Sequence, residues 1–331
     1  MVRAATRVKQ VDFRAVAAKV EKIVGQVAVA LEGKDDVIRE ALICLVSGGH
    51  LLIEDVPGVG KTMLAKALAR ATSCTSSRIQ FTPDLLPSDI VGVSIYERAS
   101  RQFSFRPGPI FANLVLGDEI NRASPKTQSA LLEAMEERQV TVDQKTYVID
   151  EPFMVVATMN PLEHEGVFPL PQSQIDRFSM RILVGYPSHE AEIEILDMHG
   201  ATSALEDVEA VVTAKELVAL VKVTRSVHVA DEIKNYIVEV CDATRRHQSV
   251  QQGASPRASL FLLRTARAKA ATDGRDFVVP DDVKAMIPLV LAHRIVLSPD
   301  AELQGAGSDD LLEQMVSRIA VPAGGSRGRR G

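Results

Sequence analysis

Apolar residues recur at helical spacing from about Asp12 to Leu31 and again from Lys34 to Val46, and then the pattern changes. Leu51-Leu52-Ile53, Leu114-Val115-Leu116 and Phe153-Met154-Val155-Val156-Ala157 are short continuous apolar runs that end in polar residues. The first two segments predict helices, and the runs predict buried parallel strands. A helical pattern at Met63, Leu64, Ala67 and Leu68 follows the first run, so the order predicts a doubly wound α/β sheet with ligands at the carboxyl ends of its strands. Two segments interrupt it. Phe103 and Phe105 alternate before Arg106-Pro107-Gly108-Pro109, which predicts a hairpin between Arg98 and Phe111; a second is predicted over Val140 to Ile149, turning near Asp143 to Lys145. Such hairpins serve as contact sites or as padding for a sheet edge.

After Tyr186-Pro187-Ser188 helical spacing dominates, at Glu190 to His199, Ala214 to Val223, Asp231 to His247, Pro256 to Thr272 and Pro280 to Val290. Leu311, Leu312, Met315, Val316 and Ile319 extend the pattern. The expected division is an α/β domain over residues 1–187, a smaller all-helical domain over 188–322, and a Gly/Arg tail over 323–331 that is expected to be disordered. In the helix from Pro256, Ser255 is expected at the N-cap, with Leu260, Leu263, Ala266 and Ala270 on the buried face.

Composition narrows the class. The 331 residues are 46% hydrophobic and 24% charged, an ordinary globular balance with room for two cores. A net charge of -5 gives no general reason to bind nucleic acid. Three cysteines without C-x-x-C spacing argue against a disulfide framework or zinc knuckle and fit a reducing compartment. Cys44 and Cys241 read as core, whereas Cys74 lies in a Ser/Thr-rich segment open to exposure. The N-terminus scatters Arg3, Arg7, Lys9, Asp12 and Arg14 without an apolar core, and no apolar run is long enough to span a membrane, so the chain is expected to be cytoplasmic. Glu163-His164-Glu165 reads as a solvated loop rather than a metal site.

The chemistry concentrates at the ends of the apolar runs. Asp55-Val56-Pro57-Gly58-Val59-Gly60-Lys61-Thr62 joins the first run to a helix, which predicts a phosphate-binding loop. Pro57, Gly58, Val59, Gly60, Lys61, Thr62 and Met63 are the predicted nucleotide contacts, with Lys61 reaching the β/γ-phosphates and the Thr62 hydroxyl offered to Mg²⁺. Asp55 stands where G-x-x-x-x-G-K-[ST] has glycine; Asp tolerates left-handed backbone angles, and its carboxylate must turn away from the phosphates. Asp118 and Glu119 close the second run, the first suited to Mg²⁺ and the second to polarising the attacking water. Asn160, just past the third run, is predicted to contact that water or the γ-phosphate. Arg257 puts a cation in the first turn of a helix, a cost of about 0.3–1 kcal/mol that a nearby anion would reverse. It is therefore predicted to reach from the helical domain to the bound phosphates. Arg177, in Gln172-Ser173-Gln174-Ile175-Asp176-Arg177-Phe178, reads by itself as a surface ion pair.

Together these residues resemble the AAA+ ATPases, and most closely the MoxR family, over about Val37 to Leu297. Beyond the loop, the resemblance rests on the stretch from Asp118-Glu119-Ile120-Asn121-Arg122 to Glu136-Glu137-Arg138, on Glu165-Gly166-Val167-Phe168-Pro169-Leu170-Pro171 with Asp176-Arg177-Phe178, and on Gly253-Ala254-Ser255-Pro256-Arg257-Ala258. It implies an AAA+ P-loop core with a helical lid, ATP and Mg²⁺ as cofactors, Walker A at Lys61 and Thr62, and Walker B at Asp118 and Glu119. Asn160 then resembles sensor 1, Arg257 the sensor 2 arginine, and Arg177 the arginine finger that enters a neighbouring subunit's site. The hairpins resemble the helix-2 insert and the pre-sensor-1 hairpin, while Asp55 and Met159 vary the generic patterns. The family implies a hexameric ring acting in a chaperone-like way on protein partners, often with von Willebrand factor A domains. A nucleic-acid-dependent motor related to helicases is an alternative, disfavoured by the few cations at the hairpins: Lys145 on one, and Arg98, Arg101 and Arg106 by the other. A nucleotide-switched scaffold with slow hydrolysis would need the same site.

Overall fold

The computed structural model describes residues 12–160, 166–190, 192–193 and 204–322. Outside these lie Glu163-His164-Glu165, most of the predicted helix at Glu190 to His199, the early basic residues Arg3, Arg7 and Lys9, and the tail over 323–331.

Two helices precede the sheet, as their periodicity predicts: α1 (Phe13–Ala30), capped by the Asp12 carboxylate on the Arg14 N–H at 3.0 Å, and α2 (Asp35–Ser47). Then come β1 (Leu51–Glu54), α3 (Lys61–Ala71), β2 (Ser76–Gln80) and the short α4 (Pro87–Val91). A hairpin of β3 (Gly92–Glu97) and β4 (Gln102–Pro107) follows, then β5 (Leu114–Asp118), α5 (Pro125–Glu137) and a second hairpin of β6 (Gln139–Val142) and β7 (Lys145–Val148). β8 (Met154–Met159), α6 (Gln172–Ile175) and β9 (Met180–Ile182) complete the α/β part.

Five strands form one parallel sheet in the order β2-β5-β8-β1-β9. The pleat divides each core strand between two faces: Leu51 and Ile53 pack with α1, α2 and α3, while Leu52 packs with α5. Leu114 and Leu116 against Val115, and Met154 and Val156 against Val155 and Ala157, repeat this division. Strand β2 escapes the hydrophobic pattern because it is an edge strand in which only Ile79 is buried. The first hairpin begins earlier than expected, at Gly92, and turns over residues 98–101. Its Phe105 stacks on Tyr147 of the second hairpin with centroids 3.9 Å apart, so the two hairpins touch. Phe103 and Tyr96 remain exposed near the turn.

The C-terminal part contains α7 (Ala214–Thr224), α8 (Asp231–Arg246), α9 (Pro256–Thr272), α10 (Pro280–Leu291), α11 (Pro299–Leu303) and α12 (Ser308–Ser317). A small antiparallel ribbon of β10 (Val250–Gln252) and β11 (Val296–Leu297) qualifies the expectation of an all-helical lid. These helices share one apolar cluster with α1 and α2, so the N-terminal helices bridge the two parts. Cys44 and Cys241 are buried as expected, and Cys74 is half-buried rather than exposed.

For α9 the N-cap position is as expected and the buried face is corrected. Ser255 occupies the N-cap position but its hydroxyl makes no cap bond; it donates to Asp176 Oδ2 at 2.9 Å instead. Of the predicted buried face, Ala266 and Ala270 are buried but Leu260 is 53% exposed. The stripe runs through Ala258, Leu262, Thr265 and Ala266, while Arg257, Leu260, Phe261 and Arg264 line an open cleft. Among the described residues, no helix is long and apolar enough to cross a membrane.

Candidate nucleotide site

The carboxyl end of β1 runs directly into the phosphate loop, and α3 begins at Lys61. Gly58 and Gly60 have φ of +88° and +96°, angles at which a side chain would be strained, so the loop needs glycine there. The N-terminus of α3 aims the positive end of its dipole into a cavity of about 510 Å³. Pro57, Gly58, Gly60, Lys61, Thr62 and Met63 line this cavity together with Asp118, Glu119 and Asn160. Val59 differs: its side chain is buried in the core, which leaves only its backbone to the loop. Asp55 does not take a left-handed angle. Its carboxylate turns away from the cavity, accepting from the Val56 N–H at 2.8 Å and the Gly185 N–H at 2.6 Å, while its carbonyl accepts from Lys61 Nζ at 2.6 Å.

The acid pair is held by residues that the sequence pattern did not single out. Asp118 is buried; its Oδ2 accepts from Arg78 Nε and Nη2 at 3.0 and 2.8 Å, and its Oδ1 accepts from the Thr158 hydroxyl at 2.8 Å. Glu119 Oε2 accepts from Gln80 Nε2 at 3.0 Å and Arg122 Nη1 at 2.9 Å. Arg78 and Gln80 both lie on the edge strand β2, and the available signal was their alternation around Ile79. Glu119 has φ 56° and ψ 52°, a strained conformation for a non-glycine residue of the kind that concentrates at functional sites. Mg²⁺ takes hard oxygen ligands and keeps several waters, so it needs only one or two protein oxygens beside phosphates. Thr62 and Asp118, two such donors lining the same cavity, fit that requirement.

Arg177 and Arg257 lie elsewhere. Glu136 near the end of α5 receives both: Arg257 Nη2 donates to its Oε1 at 2.5 Å, and Arg177 Nε lies 3.3 Å from its Oε2. This cluster surrounds a second cavity that also touches Gly48 and His50 and shares no lining residue with the first. Gly48 and His50 precede β1, and Arg177 precedes β9, whose Met180 pairs with Leu51; the cluster is therefore at the amino ends of the strands. The phosphate loop leaves the opposite end, about 13 Å away along four residues of β1 at about 3.3 Å each. The structure thus sets Arg257 apart from the phosphate loop of its own chain, at the amino ends of the strands. His50 braces the cluster, donating from Nε2 to the Met135 carbonyl and accepting the Val155 N–H at Nδ1, each at 3.0 Å; burial pushes its pKa down to about 4.

Comparisons with known proteins agree with this architecture. Residues 50–180 match the model of the ATPase family associated with various cellular activities (AAA), and residues 242–315 match the AAA lid domain. The chain is 46% identical to Bacillus subtilis YeaC, over 91% of this chain and 94% of that protein. It is 42% identical to the Mycobacterium tuberculosis protein named Chaperone MoxR1, over 91% and 82% of the two chains. A crystal structure of a Cytophaga hutchinsonii protein superposes with a TM-score of 0.88 at 36% identity, covering 94% of this chain and 97% of the other. With its α/β core, helical lid and these relatives, the chain belongs to the MoxR family of AAA+ ATPases.

Proposed function

We propose that the chain hydrolyses Mg-ATP in a six-membered ring and uses the cycle to remodel protein partners. The observation that carries the shared-site part is the separation of the two cavities: the acid pair faces the phosphate loop, whereas Arg177 and Arg257 meet at Glu136 on the opposite end of the sheet. Two arginines that face away from their own nucleotide are suited to a neighbour's in a head-to-tail ring.

In this reading Lys61 and the N–H groups of the loop bind the β- and γ-phosphates, and Thr62 and Asp118 hold Mg²⁺. When bound, the ion would neutralise charge between the transferring and leaving phosphates. Glu119, oriented by Gln80 and Arg122, takes a proton from the attacking water, and Asn160 positions that water. Arg177 of the adjacent subunit would stabilise charge developing on the γ-phosphate. The exposed Phe103 and Tyr96 of the first hairpin suit contact with a protein client, and the name of the MoxR1 relative supports a chaperone-like role. Domains of the von Willebrand factor A class are the proposed clients.

Steady-state ATP hydrolysis tests this reading. Turnover per subunit should rise with protein concentration as rings assemble, and Glu119→Gln should retain nucleotide while losing about 10²-fold or more in kcat. A Glu119→Gln protein that turns over at the wild-type rate contradicts the assignment.

A further inference from the structure

The segment that carries Arg177 is bound to the helical part through a buried network. Asp176 Oδ1 accepts from Arg294 Nε at 2.9 Å, and Asp176 Oδ2 accepts from the Ser255 hydroxyl at 2.9 Å. Arg294 Nη2 donates to the carbonyls of Asp176, at 3.1 Å, and of Phe178, the residues on either side of Arg177. Gln172 Nε2 adds a bond to the His293 carbonyl at 2.7 Å. Arg294 is only 2% exposed, with its guanidinium 4.8 Å from the centre of the Phe261 ring.

A structural ion pair is a poor explanation for this arrangement. Replacing a buried pair with apolar residues is often neutral or stabilising, so burial of Arg294 gives weak grounds for a role in stability alone. Its Nε and Nη2 donors converge on Asp176 and Phe178, on either side of one half-buried arginine. Ser255, which shares the Asp176 carboxylate, sits two residues before Arg257, and Arg257 shares Glu136 with Arg177. Both arginines are thereby tied to each other and to the helical part.

We infer that Asp176, Ser255 and Arg294 are positioning residues that present Arg177 and Arg257 to a neighbouring subunit as one rigid pair. This rests on the shared-site reading above. Misplacing a reacting group by about 1 Å can cost about 10²-fold in rate. The Asp176→Asn protein should therefore lose about 10- to 100-fold in kcat while nucleotide affinity at its own loop stays unchanged. The double variant Asp176→Asn/Arg294→Gln, which leaves no unpaired buried cation, should show the same loss.

Mixed rings separate this role from damage to the fold. Each variant is mixed in turn with Glu119→Gln, which keeps its arginines, and with Arg177→Ala, which keeps its Glu119. Both Asp176 variants should regain hydrolysis with Glu119→Gln and none with Arg177→Ala, the pattern of a protein defective only in what it offers its neighbour. Equal behaviour with both partners, or wild-type kcat in the double variant, would overturn the inference. A Glu119→Gln and Arg177→Ala mixture that fails to regain hydrolysis would instead overturn the shared-site reading, and this inference with it.

Discussion

The two ends of the parallel sheet are built differently. At the carboxyl ends, the phosphate loop, Asp118, Glu119 and Asn160 enclose one cavity, and each follows directly from a core strand. At the amino ends, Glu136, Arg177 and Arg257 come from the end of a helix, a strap before β9 and the start of a lid helix. The first end has the parts to bind and activate a nucleotide. The second has cations but lacks a loop to hold phosphates, which makes sense if it serves the first end of another subunit.

The largest expected effect comes from the amino end. Arg177→Ala should lower kcat by about 10³-fold or more while leaving nucleotide affinity intact, measured by hydrolysis and by titration with a fluorescent ADP. Loss of binding in this variant would break the comparison by placing Arg177 in its own subunit's pocket. A smaller effect is expected at the carboxyl end. Arg78 occupies the Asp118 carboxylate that Mg²⁺ would use, so Arg78→Gln should lower the Mg²⁺ concentration for half-maximal nucleotide binding, by about two- to fivefold. An unchanged or raised Mg²⁺ requirement would show that Arg78 does not compete with the ion. Smallest is Asp55→Asn, which weakens the tie between the loop and Gly185; a fall of about 1 kcal/mol in unfolding free energy is expected, with hydrolysis within about twofold of wild type.

The same contrast governs how much could be read from the sequence. The phosphate loop and acid pair were legible because their residues are consecutive and follow continuous apolar runs. Arg78 and Gln80 were not, since an edge strand with one buried residue lacks a hydrophobic signature. Leu260 was assigned to the core by its spacing, yet α9 turns that face to the cleft beside Arg257 and Arg264. An arginine in the first turn of α9 signals a need for a nearby anion. Its partner within the chain is the Glu136 carboxylate, 121 residues away, which no local pattern could supply.

The central claim, that one catalytic site is built from two subunits, is tested most directly by mixing two inactive proteins, Glu119→Gln and Arg177→Ala. Subunits that exchange at random in equal amounts should restore about a quarter of the interfaces, and hydrolysis should reappear in proportion. Hydrolysis no greater than the sum of the two separate proteins, in rings shown to have exchanged subunits, would contradict the account.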